Sequence, residues 1–277
     1  FQKYELIDDD NERNFIYLDN NYKLIYQTLI NIKVIDPAVG SGAFLVELLN
    51  ILSDLLLYIS KKYNFHNYEK KLKLKSKIIQ NCLFGIDVNS TSIEIAKLRL
   101  WLNLIIDEKT YNKKKSLPNL EFNLLSGNSL SHETDLFSLK GLDEIEILRE
   151  KYFDDIKNQK DIKSKYQKII NKYQKNNLIN FEVCFYDIFK KKGGFDIVIA
   201  NPPYEVLEGK DYKQEINRIK SIDIFEKACE GKVNYFKVFL LKSNCILNKN
   251  GVLTFIFQNS FLGTKNCTKL RELCFKE

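Results

Sequence analysis

The sequence predicts an α/β fold with a doubly wound, mostly parallel sheet and helices on both of its faces. Short apolar runs of strand length alternate along the chain with longer segments of helical periodicity. Two of the apolar runs end in an aspartate, and one of them leads into a glycine-rich turn. The 277 residues are 44% hydrophobic and 29% charged, which is typical of a globular protein with a large core. We therefore expect one large domain.

The first two strands are predicted from apolar runs that each end in an aspartate. Residues 32–36 form the first run, and from Ala43 onward apolar residues recur every three or four positions, which predicts a helix. Residues 65–80 are rich in lysine and predict an exposed second helix. Residues 82–87 form the second apolar run. The order strand, helix, strand is that of a parallel sheet.

The middle of the chain predicts another helix, a short strand and a helical insertion. Thr91 and Glu94 have the spacing of a capping box, so a helix is expected to begin there and to continue to residue 106. Residues 120–125 predict the third strand. A polar, Lys/Glu/Asp-rich stretch within about 137–180 predicts helices on the surface with a solvated face.

The last part of the chain predicts two further strands and their helices. Residues 195–200 are continuously apolar, as expected of a central parallel strand that is covered on both faces. Residues 233–247 predict a helix, 252–257 a strand and 265–275 a final helix. The charged segment 205–232 is expected to be a loop, either a mobile one that contacts a binding partner or a plain surface loop.

Composition argues against several classes of protein. The six cysteines are scattered without a C-x-x-C pair, and with only two histidines no zinc-ligand spacing exists, so we expect no metal site and reduced thiols in a cytoplasmic protein. We find no run of about 18 apolar residues and no apolar segment in the acidic N-terminus, and expect neither a membrane span nor a signal peptide. The net charge of +7 suits a nucleic-acid partner but is weak support, because lysine is abundant throughout.

A glycine-rich turn follows the first predicted strand and favours a ligand site. Gly40 and Gly42 stand where the strand turns into a helix, so the backbone could approach a ligand closely. Asp36 ends the strand. A dinucleotide site would need a third glycine where Leu45 stands. Asp87, at the end of the second strand, is the expected partner of ribose hydroxyls.

The most specific signal is the sequence N-P-P-Y directly after the run 195–200. An exocyclic amine of a base is a poor nucleophile, because its lone pair is delocalised into the ring. The side-chain oxygen of Asn201 and the carbonyl of Pro202 could accept hydrogen bonds from the N–H groups of such an amine and direct its lone pair out of the ring plane. Pro202 and Pro203 make the loop rigid and poor in donors. Tyr204 offers a ring on which an extruded base can stack.

These motifs, in this order, resemble the adenine-specific (N6) DNA methyltransferases of bacterial type II restriction–modification systems. The resemblance is strongest to the branch in which methylase and endonuclease share one polypeptide, and it covers about five-sixths of the chain. The matching segments are D-P-A-V-G-S-G-A-F, G-I-D-V-N, A-K-L-R-L-W-L, G-N-S-L, G-G-F-D-I-V-I-A-N-P-P-Y, N-Y-F-K-V-F-L, G-V-L-T-F-I-F-Q-N-S-F-L and L-R-E-L.

The resemblance implies a Rossmann-like sheet of the class I S-adenosylmethionine-dependent methyltransferase type, with residues 1–277 as its catalytic core. The implied cofactor is S-adenosylmethionine, with S-adenosylhomocysteine as product, and the implied partner is double-stranded DNA with a flipped adenine. The catalytic residues on the target base would be Asn201, Pro202, Pro203 and Tyr204. The residues that would contact the cofactor are Asp36, Ala38, Gly40, Gly42, Phe44, Ile86, Asp87, Val88, Asn128 and Asn201.

The chain departs from the family pattern in several places. Many relatives have aspartate where Asn128 stands, although asparagine still supplies an acceptor. The aromatic N-terminal motif is not evident in residues 1–32, and neither the last strand pair nor a target-recognition domain nor a nuclease motif is found. We expect the target-recognition and nuclease domains elsewhere in the same full-length polypeptide.

Other functions remain open at this point. A methyltransferase acting on protein glutamine also uses N-P-P-Y, because an amide nitrogen poses the same lone-pair problem, but it lacks the A-K-L-R-L-W-L helix. Adenine in RNA and the N4 amine of cytosine are further candidates. A non-catalytic module that only supports a nuclease would not need the complete N-P-P-Y motif.

Overall fold

Five parallel strands form the single sheet in the computed structural model, which describes residues 10–64, 71–106, 120–130, 142–154, 158–173, 178–229 and 231–275. The order across the sheet is β3–β2–β1–β4–β5, and each pair of neighbours runs parallel. The strands are β1 (Val34–Asp36), β2 (Leu83–Asp87), β3 (Leu124–Ser126), β4 (Phe195–Ala200) and β5 (Leu247–Phe255).

Helices cover the sheet, so the predicted doubly wound α/β fold is confirmed. They are α1 (Asp10–Ile30), α2 (Ala43–Lys62), α3 (Lys71–Cys82), α4 (Ser90–Ile106), α5 (Asp143–Asp154), α6 (Gln159–Tyr173), α7 (Phe181–Cys184), α8 (Tyr186–Lys192), α9 (Lys213–Lys220), α10 (Tyr235–Ile246), α11 (Ser260–Gly263) and α12 (Thr268–Phe275), with 3₁₀ turns at Asp223–Cys229 and Lys265–Cys267. The chain first builds outward from β1 to β3 and then crosses to β4. This reversal opens a crevice at the carboxyl ends of β1 and β4, where sheets of this kind bind ligands.

The two faces of the sheet are buried by different helices. Leu83 packs with apolar residues of α2, α3 and α4, whereas Phe84, the next residue of β2, packs with α5, α6, α7 and α8. This alternation follows from the period of two in a strand. A third cluster joins α9, α10 and α12 around the fully buried Phe225. The core therefore holds the strand ends rigidly where the crevice opens.

Helix α2 is long and apolar enough to cross a membrane by length and composition alone. Its residues Leu45, Leu49, Leu56 and Ile59 are fully buried and belong to the cluster shared with α3 and α4. A helix that is covered by its neighbours on one face has to be apolar there. The packing of α2 thus accounts for its composition.

The predicted helical insertion is helical, but its expected solvated character is wrong for one face. Within the described residues it forms α5 and α6, and these helices bury Tyr152, Ile162, Tyr166 and Ile170 against the sheet. Arg149 is also buried and forms an ion pair with Asp187 at 3.1 Å. The many lysines and glutamates concealed an apolar stripe at helical spacing.

Several predicted boundaries also differ. Helix α4 begins at Ser90, and its first turn is held by the side chain of Asn89, which accepts the Thr91 N–H at 2.9 Å. Glu94 instead contacts Lys97 at 2.8 Å, so the predicted capping box is not formed. Strand β3 starts four residues later than predicted, and β5 starts five residues earlier. Residues 65–70 of the predicted lysine-rich helix lie outside the described residues.

Segment 205–232 was expected to be a loop, and its described part is instead compact. It contains α9 and a 3₁₀ turn, and Leu207, Ile219 and Phe225 are buried in the third cluster. An apolar contact every few residues holds the segment against α10. The segment therefore forms part of the wall above the crevice.

Candidate active site

A cavity of about 560 Å³ lies at the carboxyl ends of β1, β2, β3 and β4. Each of these strands contributes residues from its carboxyl end or directly after it, and α9 and α10 complete the wall. Among the described residues, the lining consists of Pro37, Ala38, Asp87, Val88, Gly127, Asn128, Ser129, Leu130, Asn201, Pro203, Glu205, Glu215, Tyr235 and Phe239. Six predicted site residues thus share one cavity: Ala38, Asp87, Val88, Asn128, Asn201 and Pro203.

The glycine-rich turn forms the β1 side of this region and is shaped by backbone hydrogen bonds. Val39 N–H donates to the Ile86 carbonyl at 2.9 Å, and Gly42 N–H donates to the Val39 carbonyl at 2.9 Å. Gly42 has φ of 79°, and a Cβ there would lie 2.9 Å from the Cβ of Ala96 on α4. Glycine at this position is therefore required by packing against α4. Gly40 has φ of 53° with open space around it.

Asp87 links the turn to the start of α4. One carboxylate oxygen accepts Gly40 N–H at 2.9 Å, and the other accepts Asn89 N–H at 2.8 Å. The side chain is half-buried and lines the cavity. Each carboxylate oxygen has two acceptor sites, so both can still accept a ligand hydroxyl. The backbone donors hold the carboxylate in one orientation toward the cavity.

Asp36 is buried and is not among the residues that line the cavity. The side chain is only 2% exposed, and Oδ1 accepts Ala38 N–H at 3.0 Å. Burial raises the pKa of Asp36 to about 7; the Ala38 hydrogen bond opposes this rise, and the nearby charge of Asp87 adds to it. Asp36 therefore shapes the turn at Ala38 rather than facing a ligand directly.

The loop after β3 is fixed to its neighbours, and Asn128 is central to it. Asn128 Oδ1 accepts Leu130 N–H at 2.9 Å, and its backbone carbonyl accepts Ile179 N–H at 2.9 Å. The Ser129 hydroxyl donates to the Pro37 carbonyl at 2.8 Å, which ties this loop to the one after β1. One acceptor site of the Asn128 side chain is therefore committed to its own loop.

The N-P-P-Y segment follows the end of β4, and the side chains of Asn201 and Tyr204 are accessible. Asn201 is exposed, Tyr204 is 37% exposed and Pro202 is buried. The Tyr204 hydroxyl contacts Asn201 Oδ1 and also lies 3.0 Å from the Ile256 carbonyl oxygen. The Asn234 side chain donates to the Tyr204 carbonyl at 3.3 Å. The loop is thus held between the end of β5 and the start of α10.

The remaining predicted residues lie around the cavity without lining it. Phe44 is half-buried in the first turn of α2. Ile86 is fully buried and packs with Ile35 and Phe84, so it supports the turn through its carbonyl. Contact between the Ile86 side chain and a cofactor stays a prediction, and its burial does not favour it.

Eight lining residues were not predicted as site residues: Pro37, Gly127, Ser129, Leu130, Glu205, Glu215, Tyr235 and Phe239. Tyr235 and Phe239 are four residues apart on α10, and their position in N-Y-F-K-V-F-L could have indicated a shared face. No local signal marks Glu215, because only the packing of α9 brings it to the cavity.

The α9 wall is fixed by a charged pair. Arg218 on α9 donates to both Glu215 carboxylate oxygens at 2.9 and 2.6 Å, and also to the Leu130 carbonyl at 2.9 Å. Glu205 accepts the Tyr212 hydroxyl. Three carboxylates therefore line the cavity, those of Asp87, Glu205 and Glu215, and no lysine or arginine is among its described lining residues. Since Arg218 compensates the charge of Glu215, the carboxylates of Asp87 and Glu205 are the ones that favour a ligand with positive charge.

Comparison with known proteins places the chain among restriction–modification methylases. Residues 81–277, well over half of the chain, match the family described as Eco57I restriction-modification methylase. The chain is 27% identical over 260 residues to the type II restriction enzyme and methyltransferase RM.Eco57I of Escherichia coli, covering 88% of this chain and 21% of that protein. It is 33% identical over 81 residues to the type II methyltransferase M.HincII of Haemophilus influenzae, covering 29% of this chain and 16% of that protein.

A solved structure supports the same fold. It is that of a nuclease-deletion mutant of the Type ISP restriction–modification enzyme LlaGI in complex with a DNA substrate mimic. The TM-score is 0.50 with 14% identity, and the match covers 89% of this chain and 17% of that one. At this identity the likeness concerns the fold alone. The chain thus spans about a fifth of the length of these larger proteins.

Proposed function

Because the chain belongs to the Eco57I restriction-modification methylase family, we propose that it methylates the N6 amine of adenine in DNA, with S-adenosylmethionine as methyl donor. It would form the modification part of a restriction–modification enzyme. The observation that carries the proposal is the position of Asn201, at the end of β4 in the same cavity as Asp87 and Ala38. One cavity thus holds the acceptor for an amine and the residues suited to a nucleoside cofactor.

The residues of the cavity fit S-adenosylmethionine. Asp87 has a fixed carboxylate that can accept ribose hydroxyls, and Val88, which is 68% exposed, offers an apolar surface for an adenine ring. The volume of about 560 Å³ is in the range of sites for ligands of this size. The carboxylates of Asp87 and Glu205 complement a cationic ligand. When bound, S-adenosylmethionine supplies an electrophilic methyl carbon on a sulfonium.

The N-P-P-Y loop would prepare the amine of the target base. The Asn201 side-chain oxygen and the Pro202 carbonyl would accept hydrogen bonds from the two N–H groups of this amine. The nitrogen lone pair would then be directed away from the ring plane. Pro202 and Pro203 lack N–H groups, so the loop brings acceptors but no competing donor at these positions. The ring of Tyr204 is accessible for stacking with an extruded base. These groups would act by position, and the proton that the nitrogen loses on methylation would pass to solvent rather than to Asn201.

The proposed partner is double-stranded DNA with a flipped adenine, and the cytoplasm is the proposed location of the reaction. RM.Eco57I is by name both a restriction enzyme and a methyltransferase. We propose that nuclease and target-recognition domains lie elsewhere in a longer polypeptide, since base contacts require surfaces beyond this cavity.

The test is methyl transfer from labelled cofactor by the complete polypeptide. Duplex DNA, RNA and a protein release factor are offered separately, and the labelled product is hydrolysed and identified. Label in N6-methyladenine from DNA supports the proposal. Label in RNA, in glutamine or in N4-methylcytosine supports one of the alternative substrates, and cofactor binding without any transfer would make the chain a non-catalytic module.

A further inference from the structure

The Tyr204 hydroxyl lies between two oxygen atoms that belong to neighbouring strand ends. One is the side-chain oxygen of Asn201, after β4, and the other is the carbonyl oxygen of Ile256, directly after β5, at 3.0 Å. The Ile256 carbonyl is a fixed anchor, because the N–H of the same residue donates to the Ala200 carbonyl at 3.0 Å. The phenol therefore connects the proposed acceptor of the amine to the rigid edge of the sheet.

A count of protons shows that both contacts cannot be made as donations from Tyr204. A phenol carries one proton, and both neighbouring atoms are acceptors. If Tyr204 donated to Asn201, its oxygen would face the Ile256 carbonyl with no proton between them. A carboxamide keeps its shape when it turns by 180°, which exchanges its oxygen for its NH₂ group. With Asn201 turned, its NH₂ donates to Tyr204, Tyr204 donates to Ile256, and both contacts become hydrogen bonds.

We propose that the Tyr204 hydroxyl is a positioning group that orients the Asn201 amide, so that the NH₂ is held toward Tyr204 and the oxygen faces the cavity. The proposal rests on the proposed function in one respect, namely that a base amine is the group that this oxygen meets. Tyr204 then has two separable roles. Its ring stacks with the base, and its hydroxyl selects which end of the Asn201 amide the amine encounters.

The hydroxyl matters because the wrong orientation is repulsive. Without it, the Asn201 amide can turn its NH₂ toward the cavity, where donor faces donor and the amine lone pair is not directed. The backbone of Tyr204 would not move when the hydroxyl is removed, since the Asn234 side chain still holds its carbonyl. Phenylalanine at position 204 should therefore preserve stacking and lose only the orientation of Asn201.

The kinetic test compares Tyr204→Phe, Asn201→Ala and the double variant in the complete polypeptide with duplex DNA. Tyr204→Phe should lower the single-turnover rate of methyl transfer about 10-fold, the effect of one neutral hydrogen bond, with KM values for DNA and cofactor within about 2-fold. Fluorescence of 2-aminopurine at the target position should stay as in the wild type. In the Asn201→Ala background, Tyr204→Phe should have no further effect. Tyr186→Phe, which removes a hydroxyl that contacts Asp143 at 3.3 Å, is the matched control.

An additive effect of Tyr204→Phe in the double variant would overturn the proposal, because the hydroxyl would then act independently of Asn201.

A second measurement does not depend on methylation. In protein labelled with ¹⁵N-asparagine, one proton of the Asn201 NH₂, assigned by its loss in Asn201→Asp, should exchange slowly with solvent and should lose this protection in Tyr204→Phe. Equal exchange in both proteins overturns the proposed orientation even if DNA is methylated. Protection without methylation leaves the orientation standing and refutes the proposed function.

Discussion

At the scale of single residues, Asn201 and Asp87 line one cavity, but their replacement should affect different steps, methyl transfer and cofactor binding respectively. Asn201→Ala should lower methyl transfer by about 10²-fold or more, as expected when one preorganised polar group is removed, and change cofactor affinity by no more than a few-fold. Asp87→Ala should mainly weaken cofactor binding. Single-turnover kinetics and calorimetric titration separate the two effects. Normal transfer by Asn201→Ala would contradict the assigned mechanism.

The carboxylate of Glu205 is expected to favour the cationic cofactor over its neutral product. Glu215 is paired with Arg218, whereas the partner of Glu205 in the cavity wall is the hydroxyl of Tyr212. Glu205→Gln should weaken binding of S-adenosylmethionine roughly 3- to 10-fold and leave S-adenosylhomocysteine nearly unchanged, because only the former carries the sulfonium charge.

Calorimetric titration of both compounds checks this preference. Glu208→Gln is the matched control, since Glu208 pairs with Lys232 outside the cavity lining. Equal losses for the two ligands would indicate that Glu205 acts through shape rather than charge.

At the scale of elements, helices α5 and α6 contribute buried side chains to the core, although their composition is highly charged. Arg149 is buried between rings of Phe84 and Phe185, donates to the Asn123 side chain and pairs with Asp187. Arg149→Ala removes a buried cation and leaves the partly buried carboxylate of Asp187 uncompensated. We expect the free energy of unfolding to fall by about 3 kcal/mol.

Urea unfolding followed by circular dichroism measures this loss. Lys151→Ala on the same helix is the control, because Lys151 is exposed, and it should change stability by less than about 0.5 kcal/mol. Similar stability of the two variants would mean that α5 contributes little to the core.

At the scale of the whole molecule, Asp36 links pH to the stability of the sheet. Its pKa is raised to about 7 by burial, above the value of about 3.9 in an unfolded chain, so the folded state favours the protonated form. The stability that this group contributes is complete below the unfolded pKa and is lost as pH rises through about 7. Asp36→Asn keeps the acceptor for Ala38 N–H and removes the titration.

The free energy of unfolding of the wild type should therefore fall more between pH 5 and pH 8 than that of Asp36→Asn. Urea unfolding of both proteins at these two pH values measures the difference. Parallel pH dependence in the two proteins would show that Asp36 does not ionise over this range.

Much of the fold and part of the site were predictable because local patterns report burial. The continuous apolar run 195–200 matched β4, and the aspartates at the ends of two runs marked β1 and β2. The burial of one face of α5 and α6 was not predictable, because the charged residues of these helices outnumber the apolar residues of the buried stripe. For Gly42, the sequence indicated a turn, but only the distance to Ala96 showed why glycine is required.

The sequence by itself determined the order of the parallel strands along the chain and the residues that follow each of them. The carboxyl ends of parallel strands all point in the same direction. Asp87 and Asn201, which stand at the carboxyl ends of their strands, therefore had to lie at the same end of the sheet. Only the tertiary structure decided that Glu205, Glu215, Tyr235 and Phe239 close the same cavity, that Ile86 turns inward and that the Tyr204 hydroxyl reaches Ile256. Those contacts join residues far apart in the chain, and they depend on how helices pack on the sheet, which local periodicity does not specify.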